Sequence, residues 1–172
     1  MELVEGTATV DDVDAFVEEL AAIGADRGCA VQAFDARYVA GADHLRQAVA
    51  LADRARERGE AIARDRAVEV LLYAAGRRQI DRALEMGVGE GARPTVVLVD
   101  AGERGEDGAD RERAAAEAVR GLATFEPGEA LSESDPGRLR EFFGITDRER
   151  AATDATLEAL VCERVALLTV EK

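Results

Sequence analysis

The chain has 172 residues, enough for one well-buried core and too few for two ordinary domains, so a single domain over 1–172 is expected. Its apolar fraction is 47% but its aromatic content only 4%, with no Trp, so the core must be packed from Ala, Val and Leu. Thirty-six acids against 22 bases give a net charge of −14, which ordinarily argues against a nucleic-acid ligand.

No segment approaches the roughly 20 apolar residues of a membrane helix, and the first residues lack a basic-then-apolar leader, which predicts a cytoplasmic protein without a membrane partner. Cys29 and Cys162 stand far apart and His44 is the only histidine, so no disulfide framework, metal site or cofactor is expected. Both cysteines read as buried small hydrophobes. All basic residues except Lys172 are Arg, and the acids are spread along the whole chain. Dispersed acid, a single Lys and Ala-rich apolar positions resemble the proteome of an extreme halophile, so the net charge reports the solvent and not the partner.

Leu3 to Val10 reads as a first strand, followed by a helix to about Ala25 with acids in its first turn and Val13, Phe16, Val17, Leu20 and Ala21 facing inward. Cys29 to Phe34 reads as a central strand. After a connection over 35–41, a helix from Ala42 to Arg58 carries Leu45, Ala48, Val49, Ala52 and Ala55 on one face, with Gly59 beyond its end. Ala63 to Tyr73 reads as a helix with Val68, Leu71 and Leu72 inward, broken at Ala74-Ala75-Gly76. Arg77 to Met86 reads as another, with Ile80, Ala83 and Leu84 sharing a face. Pro94 to Asp100 is the clearest strand. A polar loop over 101–109, an amphipathic helix from Asp110 to Leu122, an irregular stretch over 125–136, a short helix at Leu139 to Phe143 and a long helical region from Thr146 to about Leu168 complete the chain. Strands mixed with six or so helices predict an α/β or α+β fold, helices covering a small sheet.

The glycines at 87, 89 and 91 follow a helix and precede a strand, the reverse of a dinucleotide-binding turn. The absence of any internal Lys excludes a P-loop, and Ser132 and Ser134 lack a nearby His for a nucleophilic triad. The charge map is more informative. Between Arg54 and Arg82 eight arginines and five acids give a local charge of +3, whereas the remaining 14 bases and 31 acids give −17. Gly76-Arg77-Arg78 reads as a helix start, where unpaired amides and the helix dipole favour an anion. Beside it, Ile80 and Leu84 add apolar contact, a combination suited to a single-stranded RNA end. The competing reading is a solvated face of i,i+4 ion pairs. On the last helix Leu157, Leu160, Val161, Val165 and Leu168 form a stripe, with Ala166 and Leu167 off it, which suits either a protein partner or docking onto the sheet.

Three stretches, QAFDARYV (Gln32 to Val39), AVEVLLYAAGRRQIDRALEMGV (Ala67 to Val88) and ATDATLEALVCERVALLTVEK at the end, resemble the small kinase-associated subunit of the KEOPS complex, called PRPK-binding protein in animals. The similarity is to the archaeal branch and spans nearly the whole chain, weakest at 101–110 and 125–136. It implies a mixed sheet flanked by helices and a role in making threonylcarbamoyladenosine in tRNA. It implies no catalytic residues and no cofactor. In such a complex this subunit caps a kinase-like ATPase subunit, reaches the transferase subunit only through that kinase, and captures the single-stranded CCA end of tRNA. Arg78, Gln79 and Ile80 match the family's RNA-facing motif, with Arg77, Ala83 and Leu84 adjoining. The expected function is a tRNA-binding, kinase-activating regulatory subunit that is not an enzyme. The alternative is a pure protein-interaction module that activates the kinase without touching RNA.

Overall fold

The computed structural model describes residues 1–102 and 107–170. In chain order its elements are β1 (Glu2–Val10), α1 (Val13–Arg27), β2 (Ala30–Asp35), α2 (Ala42–Glu57), α3 (Arg66–Ala75), α4 (Ile80–Ala83), β3 (Gly91–Asp100), α5 (Gly108–Arg120), β4 (Phe125–Pro127), α6 (Pro136–Phe143), α7 (Asp147–Ala151) and α8 (Leu157–Leu167), with single 3-10 turns at Ala36–Tyr38, Leu84–Met86 and Leu131–Glu133. This is an α+β fold, as expected. The chain divides into two compact units, Met1–Ala36 with Gly87–Ser132 and Arg37–Met86 with Glu133–Lys172.

The first unit holds a four-stranded sheet in the order β2-β3-β1-β4. Every described pairing is antiparallel, where the resemblance implied a mixed sheet. The strand from Ala30, expected at the centre, lies at an edge and, among the described residues, pairs only with β3. Its apolar run reports that its two faces are covered, which says nothing about pairing along both of its sides. Val4, Ala8 and Val10 alternate inward from β1 and pack with Val97 and Val99 of β3. Val31 and Ala33 of β2, Phe125 of β4, Phe16 and Leu20 of α1 and Ala115, Ala116 and Val119 of α5 complete this core. Asp12 caps α1 by accepting from the Ala15 amide at 3.0 Å. Val17 is 48% exposed and Ala21 is exposed too, because the buried face runs through Phe16, Leu20 and Gly24 and leaves both one step round the helix. Residues 103–106 of the loop expected over 101–109 lie outside the described residues.

The second unit is helical. On α2 the expected face, Leu45, Ala48, Val49, Ala52 and Ala55, is buried in full, together with His44 and Leu51. This helix packs on α3 and α8, and α8 also meets α6. Asp65 caps α3 through the Val68 amide, and Gly76 ends it in the left-handed conformation at φ 59°. Buried Glu69 accepts the amides of Ile62 and Ala63 and thereby fixes the connection before α3. The helical region expected from Thr146 to Leu168 is two helices. Thr146 and Glu149 form a capping box that starts α7, and Thr156 caps α8 by accepting from Ala159, so hydroxyl caps compete with helix continuation at both places. Cys29 and Cys162 are each partly exposed, correcting their expected burial.

Candidate functional site

The Gly76-Arg77-Arg78 segment does not start a helix. The Gly76 amide donates to Tyr73 and the Arg77 amide to Leu72, so both close the C-terminus of α3. The next helix, α4, has only four residues, and the amides of Arg82 and Ala83 both turn back to the Gln79 carbonyl. The dipole argument for an anion at this point therefore fails. The capping turn instead lifts Arg77 away from α3 and toward α6.

There Arg77 Nη2 donates to the Phe142 carbonyl at 2.5 Å, and its guanidinium lies 5.2 Å from the centre of the Phe142 ring. Phe142 meets Tyr38 edge to face, with centroids 5.3 Å apart. Arg138 sits over Tyr38 at 5.2 Å and donates to its hydroxyl at 3.3 Å. The result is a continuous stack, Arg77 on Phe142 against Tyr38 under Arg138, built from three separate parts of the chain. Asp135 anchors one end. It caps α6 by accepting from the Arg138 amide and faces the Arg138 guanidinium at 3.7 Å. The Arg138 amide, helped by that of Gly137, holds its carboxyl below the usual range, and the Tyr38 hydroxyl pushes the Arg138 pKa up.

This stack lines a cleft of about 810 Å³ that lies wholly within the helical unit. Gln79, Arg82, Glu85 and Glu141 complete its lining. Of the residues expected to face RNA, Arg77 and Gln79 line the cleft, and Arg78 is exposed beside them. Ile80 is 41% and Leu84 54% exposed, so neither is core and the two leave an apolar patch one turn apart on α4 and the turn after it. Ala83 is fully buried, which removes it as a ligand contact. Sequence reasoning missed Tyr38, Arg138 and Phe142. Tyr38 lay inside the stretch QAFDARYV, but nothing in local pattern tied it to residues about a hundred positions away.

A family model described as kinase binding protein CGI-121 matches residues 9–169. The chain belongs to this family. No curated protein compared with it matches. The matched span contains the whole cleft and the stripe on α8.

That stripe faces inward. Leu160, Val161, Val165 and Leu168 are 7%, 0%, 0% and 2% exposed, and Leu157 is partly buried, so these five residues pack the helical unit and offer a partner little surface. Among the described residues, the large apolar side chains left exposed at this end of the chain are Leu167 at 47% and Val170 at 73%. His44 is a core residue. Its Nδ1 accepts the Ala40 amide at 3.2 Å and its Nε2 donates to the Ala74 carbonyl at 2.8 Å, which fixes the neutral ring. Among the described residues no group of three or more His, Cys, Asp or Glu is placed to hold a metal ion, and no helix is long and apolar enough to cross a membrane.

Proposed function

We propose that this chain is a non-catalytic regulatory subunit that binds a kinase-like ATPase subunit directly, meets a transferase subunit only through that kinase, and captures the single-stranded CCA end of tRNA in support of threonylcarbamoyladenosine formation. The kinase contact rests on the family description, and its candidate surface moves from the buried stripe to the exposed Leu167 and Val170. The RNA contact rests on one observation, the Arg77–Phe142–Tyr38–Arg138 stack beside Gln79 and the exposed Ile80 and Leu84. Guanidinium groups beside aromatic rings offer cationic and π surfaces against which unstacked bases settle, and single strands are recognised in that way. Exposed Arg78 supplies a phosphate contact at the rim.

The Arg-rich, acid-rich composition supports a high-salt setting. At about 1 M salt the Debye length is about 3 Å, so contact-distance stacking outlasts long-range attraction. The test is binding of labelled tRNA by the full chain, with and without its CCA end. Tighter binding of the intact end supports the reading. Equal binding of both forms, with the kinase-like subunit still captured, leaves a pure protein-interaction module.

A further inference from the structure

The three segments that meet in the cleft are all tied to one fully buried side chain, His44. Its Nε2 donates to the carbonyl of Ala74, three residues before Arg77, and its Nδ1 accepts the amide of Ala40, two residues after Tyr38. The ring stands edge to face with Phe143, the neighbour of Phe142, at 5.6 Å between centroids.

These contacts do more than fill the core. A helix leaves its last four carbonyls without amide partners of its own. At the end of α3 the amides of Gly76 and Arg77 return to the carbonyls of Leu72 and Tyr73, and His44 takes the next one, that of Ala74. It thereby completes the cap that turns Arg77 toward α6. On the other side, Phe143 is 3% exposed while Phe142 lines the cleft, and the two rings stand edge to face 5.0 Å apart. The rings of His44, Phe143, Phe142 and Tyr38 therefore run in one row from the core to the cleft wall. Neutral imidazole carries an acceptor and a donor on separate edges of a flat ring, which is what the three contacts require together.

We propose that His44 is a positioning residue for the cleft: buried beneath it, His44 fixes Tyr38, Arg77 and Phe142 relative to one another without touching the ligand. The consequence for ligand binding rests on the RNA reading above, whereas the placement of the rings does not.

The experiment uses the full chain labelled with 3-fluorotyrosine. Its two tyrosines give two fluorine signals, and that of Tyr38 is the one missing from Tyr38→Phe. His44→Asn keeps an acceptor near the place of Nδ1 and His44→Gln a donor near that of Nε2, so each spares one bond and loses the other. Both are expected to keep the helical circular dichroism spectrum, to shift the Tyr38 signal, and to weaken binding of labelled tRNA ending in CCA by about fivefold or more, the equivalent of one lost base stack. Binding of tRNA lacking its last three nucleotides is expected to stay the same. Phe143→Leu, which keeps an apolar side chain but interrupts the row of rings, is expected to act in the same direction and decides the question if the His44 variants do not fold. Val119→Ala loosens the core of the sheet unit and is expected to leave both the signal and the binding as they are.

An unmoved Tyr38 signal in the folded variants, or unchanged binding of the CCA form by them, would overturn the inference and make His44 an ordinary core residue. An equal shift in Val119→Ala would overturn it as well, since general loosening would then explain the effect. A shifted Tyr38 signal, with a wild type that binds both tRNA forms equally, would remove the RNA reading and support the positioning of the rings alone.

Discussion

The carboxylate of Glu158, in the first turn of α8, accepts the backbone amide of Asp43 at 3.0 Å and so caps α2 from a distance of 115 residues. It also accepts the His44 amide at 3.3 Å. Gly41, at the cap position itself, has no side chain to do this. A Cβ there would lie 2.2 Å from Glu158 Oε1, so any other residue has to push that carboxylate aside. Glu158→Ala should lower stability by about 1 to 2 kcal/mol in urea unfolding, the usual cost of a lost cap. Gly41→Ala should destabilise by displacing the same carboxylate. The double variant should cost less than the sum of the two, because both remove one interaction.

His44 predicts an acid-sensitive fold. Burial lowers its pKa from 6.5 to about 4, opposed only by the bond to the Ala74 carbonyl, while the ring edge meets Phe143. The unfolded chain therefore binds the proton more readily than the folded one. Stability from this group is complete above about pH 6.5 and is lost as pH falls toward 4, by about 3 kcal/mol in total. Unfolding free energies measured across that window should show the slope. His44→Gln should be less stable at pH 7 and flatter between pH 6.5 and 4; an equal slope in the variant would assign the effect to the carboxylates.

Neighbouring Arg77 and Arg78 should separate by phenotype. Arg77 holds α6 through a carbonyl bond and a ring contact, so Arg77→Ala should lower stability by about 1 to 2 kcal/mol. Arg78 is exposed, and Arg78→Glu should leave the circular dichroism spectrum intact while weakening tRNA binding by about 2 kcal/mol or more. Unchanged binding would reduce the arginine cluster to a solvated face. Wild-type binding should also persist between about 1 and 3 M KCl, since stacking is little screened, and a steep loss there would count against the mechanism.

Val165 and Leu167 stand two residues apart on α8 with opposite surroundings. Val165→Asp places an unpaired carboxylate in a fully buried position, which costs several kcal/mol, on the order of the stability of a small domain, and should abolish the fold. Leu167→Asp lies on the outside and should fold normally. Co-purification of the kinase-like subunit with Leu167→Asp would place the contact away from this helix, and loss of co-purification with an intact fold would place it there.

Local pattern was enough for what local physics decides. The 3.6-residue period of α2 marked Leu45, Ala48, Val49, Ala52 and Ala55, and all are buried because a helix with one apolar stripe has one way to hide it. The dense β-branched run before Asp100 marked β3, and the acids after Val10 marked the start of α1. The resemblance carried by the stretch around Arg78 was enough for the family.

Tertiary structure decided whatever depends on which distant segments meet. The edge position of β2 follows from strand pairing, which side-chain pattern does not record. The inward turn of Val165 follows from the packing of α8 on α2, α3 and α6, since an apolar stripe looks the same whether its cover is its own chain or another. The cleft is the clearest case. Arg77 reaches Phe142 only because Gly76 turns the chain at the end of α3, and Tyr38 and Arg138 join them across 100 residues of sequence. Periodicity reports each element's own buried face. It carries no information about contacts closed over such distances, and those contacts built the candidate site.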